Sequence, residues 1–315
     1  MGIFSTFLLF IIGLIMIVKG GDWFVDAVIW FADKTGISYG IIGATIVSVA
    51  TTLPELFVST LSSKEGLTDM AVGNSLGSYI CNIAFIVGIC ALIKPIHIKD
   101  NLFGIKGSMM FGYLGIFYYF ASDGVISHLE GKILVALLLL FIFINVFELK
   151  KGNGKSKNTS REFPNKKDLI QNGIKFAVGT ALIIISAHLL VDTGVEIANF
   201  LRIPKQVVSL TLLAIGTSLP ELVTALSSTI KGKQNISVGN IVGANIFNMT
   251  LVMGASALVS DNGLIISQQT LALDIPMATI VALVFILIGT STEKIGRLTG
   301  ILLLALYGGY MTILF

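Results

Sequence analysis

The chain alternates long apolar runs with short polar breaks. The runs predict helices at roughly 3–32, 36–62, 68–93, 103–121 and 128–149, then at roughly 169–200, 204–230, 235–259, 268–289 and 296–314. Most are long enough to cross a bilayer, which takes about 20 apolar residues. One break differs in kind. KKGNGKSKNTSREFPNKKD, residues 150–168, is polar, glycine-containing and strongly basic, and predicts a solvated linker. It leaves five helices on either side. An odd number sends the second half into the membrane from the opposite face, a plan common among secondary transporters. The expected fold class is an all-α integral membrane protein. About ten transmembrane helices form two inverted five-helix repeats, residues 1–149 and 169–315.

Composition agrees. Hydrophobic residues make up 54%, charged residues 12%, and mean hydropathy is +0.90. Soluble domains average about 25% charged residues. Cys81 and Cys90 share one apolar segment and read as buried free thiols, without disulfide framework or metal spacing. The stretch IFSTFLLFIIGLIMIV has no basic region before it and no small-residue cleavage site, so it reads as a retained span.

Basic residues set the orientation. A cytoplasmic linker holds Lys150, Lys151, Lys155, Lys157, Arg161, Lys166 and Lys167 inside, together with Lys34, Lys94, Lys99, Lys106, Lys231, Lys233, Lys294 and Arg297. Lys64, Arg202 and Lys205 stay outside. The positive-inside rule then places both termini outside a cell membrane. The net charge of +3 reflects this asymmetry and an encounter of the linker with anionic lipid, not nucleic-acid binding. No obligatory protein partner is evident. His97 and His128 read as loop residues, and Lys19 as a snorkelling or acid-paired cation.

The chemistry lies in a sentence written twice. ATTLPELFVS carries Glu55 directly after Pro54, and GTSLPELVTA carries Glu221 directly after Pro220. GNSLGSYICN ends at Asn82 and GNIVGANIFN at Asn248. Both 221 − 55 and 248 − 82 give 166, so no insertion separates the copies. A charge at mid-bilayer costs at least about 2.5–3.5 kcal/mol on insertion scales, and here that cost is met twice. A proline removes a backbone N–H and clashes with the carbonyl four residues back, so a break is expected at Pro54 that exposes the Ala50 and Thr51 carbonyls. Thr51 and Thr52 add hydroxyls. Thr217 and Ser218 repeat them, with Gly216 loosening the turn. Carboxylates, hydroxyls and carbonyls are hard ligands that suit Ca²⁺, Mg²⁺ or Na⁺.

Gly73 and Gly77, like Gly239 and Gly243, form a small-xxx-small pair that permits close helix approach. Ser78 lies one turn from Asn82, and its counterpart is Ala244, so the halves are chemically unequal. A lone membrane proline usually makes a kink and a lone GxxxG usually makes packing. Two glutamates at equivalent positions of an inverted repeat point instead to a midplane cation site. Asp26 and Asp192 are also equivalent and fit a structural or vestibule role better than a direct ion role. Asp22 is matched by His188. Asp274 is unmatched and is placed near a helix end.

These motifs resemble the Ca²⁺/cation antiporter superfamily, in particular its prokaryotic-type Na⁺/Ca²⁺ exchanger branch. The resemblance covers essentially the whole chain, with alpha repeats at about 40–90 and 206–256. It implies four broken or tilted helices around a central ion site and two long tilted helices that slide. It also implies a Ca²⁺ site from the Glu55 and Glu221 carboxylates with the backbone oxygens of Thr51 and Thr217. One flanking Na⁺ site would use the Ser48 carbonyl, Thr51, Thr52, Glu55 and Ser78. The other would use the Ala214 carbonyl, Thr217, Ser218 and Glu221. Asn82 and Asn248 would line the middle.

Ala50, Thr52, Ala244 and Asn248 depart from the family pattern, in which glycine, serine, serine and, in some members, aspartate stand there. With two formal charges, the pocket matches one Ca²⁺ against two Na⁺ or two H⁺. Three Na⁺ would leave net positive charge in a low dielectric. The expected activity is secondary antiport of Ca²⁺ for Na⁺ by alternating access, with no cofactor. The alternative is an H⁺-coupled antiporter of Ca²⁺ or another divalent cation, protonated glutamates standing in for a cation. A cation channel would more typically ring its carboxylates by oligomer symmetry. An enzyme is not expected: there is no HExxH, and no histidine lies within either repeated motif.

Overall fold

The structure, a computed structural model, describes residues 3–98, 103–151, 165–200 and 214–314. The helices are α1 (Ile3–Thr35), α2 (Tyr39–Lys64), α3 (Thr68–Ile93), α4 (Phe103–Ala121), α5 (His128–Lys151) and α6 (Lys166–Phe200). They continue as α7 (Ala214–Thr217), α8 (Leu219–Ile230), α9 (Gln234–Val259), α10 (Thr270–Thr292) and α11 (Arg297–Leu314). Among the described residues, eight helices are long and apolar enough to cross a membrane; α4 and the short α7 and α8 are not among them. The ten-segment plan holds, with α7 and α8 as the described part of the seventh segment. The linker residues 152–164, Lys99 and the stretch 201–213 with Arg202 and Lys205 lie outside the described residues.

The halves are interlocked. Strand β1 (Ile96–His97) follows α3 and pairs antiparallel with β4 (Lys294–Ile295), which precedes α11. Strand β2 (Val125–Ile126) follows α4 and pairs with β3 (Leu264–Ile265), which follows α9. Each two-stranded sheet therefore takes one strand from each half, and the pseudo-symmetry exchanges the two sheets. Hydropathy does not announce these two-residue strands. They form where chain ends leaving the helices need backbone partners.

The long helices α1 and α6 run antiparallel in close contact. Gly13 faces Leu190, Gly20 faces Gly179 and Leu182, and Phe24 stacks on Phe176 with ring centroids 5.0 Å apart. A Cβ on Gly179 would come within 2.7 Å of the Phe24 backbone nitrogen, so the helices meet backbone to backbone. Both are widely exposed on the outer side, where lipid replaces solvent. The buried core lies instead around α3 and α9, which supply Leu76, Tyr79, Ile80, Ile83, Ile241 and Met249.

Local winding corrects one expectation. The backbone does not break at Pro54, because Ser48–Lys64 is continuous α-helix with the proline inside. The irregularity lies about two to three turns upstream, where Gly43–Val47 winds as a π-turn. A π-turn shifts the carbonyl register without severing the helix. The second half does break. Ser218 separates α7 from α8, and Pro220 sits in the first turn of α8. Matched π-turns also open α3 at Cys81–Val87 and α9 at Asn248–Val252, each beside its candidate asparagine.

Candidate cation site

Helix α2 lies against α9, a contact between repeats. An added Cβ on Gly239 would strike the Gly40 carbonyl oxygen, and one on Gly243 would strike Ser48 Oγ. One on Gly43 would come within 2.5 Å of the Ile236 oxygen. The small-xxx-small reading of Gly239 and Gly243 is therefore correct, since only glycine lets the two backbones meet there. For Gly73 and Gly77 no described atom lies within 4 Å of an added Cβ; the segment that would mirror Gly40–Ala44, residues 206–210, lies outside the described residues.

This crossing brings Glu55 and Glu221 together in the interior. Both are 0% exposed. Ser78 Oγ donates to Glu55 Oε1 at 3.4 Å, and Ser218 Oγ donates to Ser78 Oγ at 3.1 Å. Thr52 Oγ1 donates to Glu221 Oε1 at 3.5 Å, and Thr51 also faces that carboxylate. The other oxygens, Glu55 Oε2 and Glu221 Oε2, have no hydrogen-bond partner among the described residues. Nor has Asn82 Oδ1, nor either polar atom of the Asn248 side chain. Buried polar atoms are almost always partnered, so the two orphaned carboxylate oxygens invite a ligand. An acceptor-only carboxylate oxygen is satisfied by a cation. The donor set is all oxygen, as hard cations prefer.

The structure gathers most of the predicted set into two buried clusters: Ser78, Thr217 and Ser218 around Glu55, and Thr51 and Thr52 around Glu221. Ser48 turns its hydroxyl to the Gly43 carbonyl at 2.7 Å, which leaves its own carbonyl to meet Thr51 Oγ1 at 3.4 Å. Ala214 opens α7, one turn ahead of Ser218. Asn82 Nδ2 donates to Asn245 Oδ1 at 2.9 Å, and the Asn248 carbonyl accepts from Ser75 Oγ at 3.0 Å. Gly216 does more than loosen a turn. A Cβ there would collide with Cγ2 of Val191 on α6, so the long outer helix presses on the residue preceding Thr217.

Two site residues escaped the sequence reading. Thr51 Oγ1 donates to Asn240 Oδ1 at 3.1 Å, and Thr217 Oγ1 donates to Asn74 Oδ1 at 3.2 Å. The signal was present: Asn74 and Asn240 are equivalent by the same 166-residue offset, 240 − 74. The literal pattern G-x-S-x-G also occurs at Gly73–Gly77. A hydrolase elbow needs that serine on a strand-to-helix turn with a base nearby. Here Ser75 lies inside α3, buried, and donates to a carbonyl.

Other charged residues sit elsewhere. Asp26 Oδ1 accepts from Lys231 Nζ at 2.8 Å, and Asp22 lies 3.3 Å from the same ammonium, tying α1 to the end of α8. That supports a structural role for Asp26. Asp274 does lie near a helix end, buried in the π-turn Thr270–Asp274 that opens α10, and accepts from the Tyr310 hydroxyl at 2.8 Å. Lys106 is buried in α4, within the predicted helix. His97 lies in β1, and His128 opens α5 with Nε2 2.7 Å from the Ser260 carbonyl. Cys81 and Cys90 are free and buried, as expected.

Comparison with known proteins fits this geometry. The sequence profile of the family described as sodium/calcium exchanger protein matches residues 5–147 and again 173–315, once per half. The putative antiporter CaxA of Alkalimonas amylolytica is 31% identical over 97% of this chain and 97% of its own length. The sodium/calcium exchanger MaX1 of Methanosarcina acetivorans is 29% identical over 98% of each chain. A solved structure of the sodium-calcium exchanger NCX_Mj, soaked with Na⁺ and Sr²⁺, superposes with a TM-score of 0.86 at 28% identity, covering 98% of this chain and 99% of that one. These neighbours are transporters, not enzymes. The fold, the doubled motif and the profile that matches each half together establish that this chain belongs to the sodium/calcium exchanger protein family.

Proposed function

We propose that this protein exchanges Ca²⁺ for Na⁺ across the cell membrane by alternating access, the ions competing for a site built on Glu55 and Glu221. The observation that carries the reading is the pair of orphaned oxygens, Glu55 Oε2 and Glu221 Oε2, buried among hydroxyls contributed by both repeats. One Ca²⁺ neutralises both carboxylates. When it leaves, the two negative charges remain between apolar helices, and that state is too costly to carry the site through the inward–outward switch. Reloading by the counter-ion lowers that cost, so transport proceeds as exchange rather than leak.

In this reading the Ca²⁺ ligands are the two carboxylates with the Thr51 and Thr217 backbone oxygens. The Na⁺ ligands come from Ser48, Thr52, Ser78, Ala214 and Ser218 around them, with Asn82 and Asn248 lining the middle. The linker is cytoplasmic and both termini are outside. Calcium and sodium are cargo, and no cofactor is required.

The absence of an oxygen at Ala244, opposite Ser78, favours a second reading: H⁺ in place of Na⁺ as the counter-ion. The test is Ca²⁺ uptake into proteoliposomes under an outward Na⁺ gradient or an outward H⁺ gradient, beside a Glu55→Gln/Glu221→Gln control. Na⁺-driven uptake lost in the control supports the first reading. Uptake driven by H⁺ alone replaces it with the second. Uptake that survives in the control overturns the two-glutamate site.

A further inference from the structure

Asn74 and Asn240 are matched by symmetry, yet they are held very differently. Ser59 Oγ donates to the Ala71 carbonyl at 3.1 Å, so its oxygen is left as an acceptor. Asn74 Nδ2 donates to that oxygen at 2.9 Å and also reaches the Glu55 carbonyl at 3.4 Å. Two acceptors therefore fix which end of the Asn74 amide carries nitrogen. The other end, Oδ1, must face Thr217, and Thr217 Oγ1 donates its proton to it at 3.2 Å, nearer than the Ser78 Oγ at 3.5 Å. What the Thr217 hydroxyl has left for the site is lone pairs.

The second half lacks this arrangement. Position 225, equivalent to Ser59 by the same offset, is alanine. Among the described residues Asn240 Nδ2 is buried without a partner, so the Asn240 amide is held only at its oxygen, by Thr51. Thr51, which donates to it, also has the Ser48 carbonyl in reach at 3.4 Å and faces Glu221. Its proton has a choice, and its oxygen is not committed to a ligand's role.

We propose that Ser59 and Asn74 are positioning residues that pre-orient the Thr217 hydroxyl as a cation acceptor, making the Thr217 side of the site rigid and the Thr51 side adaptable. Neither residue touches the ion. The effect runs through one relay, from the Ala71 carbonyl to Ser59, Asn74 and Thr217. A ligand held in its bound orientation loses less freedom on binding, so the relay strengthens cation binding. Without Ser59, the Asn74 amide turns and the Thr217 proton points into the site in part of the population. This inference rests on the cation site proposed above.

The test is a thermal-shift titration of the purified protein with Na⁺ and, separately, with Ca²⁺, each giving a half-saturating concentration. Glu221→Gln tests the site itself, and loss of the cation-induced shift in that variant is required for the underlying reading. If that shift persists, the site reading fails, and with it this inference. Ser59→Ala is expected to raise the half-saturating concentration of at least one cation by about three- to tenfold, the weight of one buried hydrogen bond. The melting temperature without cation should fall too, since two hydrogen bonds are lost, so the half-saturating concentration is the readout that separates positioning from stability. Ser59→Thr, which keeps the hydroxyl, is expected to restore wild-type binding, and Ala225→Ser, which supplies the missing partner in the other half, to tighten it. Unchanged half-saturation in both Ser59→Ala and Ala225→Ser would overturn the proposal, as would a loss in Ser59→Ala that Ser59→Thr does not rescue.

Discussion

The hydroxyl of Thr51 reaches across the molecule to the amide oxygen of Asn240, 3.1 Å away and in the other repeat. Its symmetry mate, from Thr217 to Asn74, spans 3.2 Å. Each of the two repeated proline–glutamate segments is thus met by an amide from the opposite half. The glycine contacts between α2 and α9 bring the first of these pairs together.

The two amides should not be energetically equal. Asn74→Ala removes bonds to Ser59, Glu55 and Thr217, and leaves the Ser59 oxygen without its donor. Asn240→Ala removes one bond and one orphaned donor. We predict that Asn74→Ala destabilises the protein by about 1–3 kcal/mol more than Asn240→Ala does. Melting temperatures of the two variants in the same detergent check this, and equal losses would contradict it.

The carboxylates should be individually indispensable. Glu55→Gln or Glu221→Gln removes half of the charge that balances Ca²⁺, so each single variant is expected to lose at least about 99% of Ca²⁺ flux, equivalent to about 2.7 kcal/mol. Both variants should remain folded, because a neutral amide in an apolar bundle is cheaper to bury than an unpaired carboxylate. Proteoliposome uptake beside a melting curve separates the two effects. Robust transport by either variant would remove the two-glutamate mechanism.

Charge counting makes a third prediction. With two carboxylates in the site, one Ca²⁺ should exchange for two monovalent cations and move no net charge. Asn248→Asp introduces a third carboxylate where an orphaned amide now stands, and should shift the exchange toward three monovalent ions. Current per Ca²⁺ transported in voltage-clamped vesicles reads this directly. A three-to-one stoichiometry in the unmodified protein would falsify the charge-matching argument.

The α2–α9 crossing should tolerate no side chain. Gly239→Val places branched carbons against the Gly40 carbonyl, where even a Cβ collides. Overpacking of this kind costs about 1–3 kcal/mol, and a flexible neighbour cannot yield because the obstacle is backbone. The expected result is a lowered melting temperature together with weakened Ca²⁺ binding, since the crossing also positions Thr51 against Asn240. A stable variant with normal binding would show that the helices can separate there without disturbing the site.

Lys231 should matter more to rate than to stability. It joins Asp22 and Asp26 on α1 to the end of α8, but its side chain is 25% exposed and its partners are about half exposed. Such pairs contribute about 0–1 kcal/mol. Lys231→Met is expected to change the melting temperature little and to alter the transport rate, because α1 and α6 carry the outer contacts on the site helices. An unaltered rate with a large stability loss would reverse this assignment.

Much of the site was legible because intramembrane carboxylates are so expensive that two of them, 166 residues apart in the same setting, have no structural explanation. Asn74 and Asn240 were passed over for the opposite reason. Asparagine beside glycine in a packed helix reads as a hydrogen-bonding spacer, and only its neighbour in space reveals its bond to a threonine of the other repeat. Pro54 misled because a missing N–H does not dictate where the helix gives way. The helix continues through Pro54, and its irregular turn lies at Gly43–Val47, about two to three turns earlier.

The sequence by itself determined the ten-segment doubled plan, the inverted halves, the two glutamates and the hard-oxygen character of their surroundings. These follow from local chemistry: hydropathy over about 20 residues, the parity of the helix count and the cost of buried charge. Only the tertiary structure decided that α2 rests on α9, that sheets β1–β4 and β2–β3 stitch the halves together, that Val191 presses on Gly216, and that Ser59 holds the amide nitrogen of one asparagine while no described residue holds that of its twin. Those are relations between residues far apart in the chain, and hydrogen-bond direction and backbone contact exist only once the halves have met.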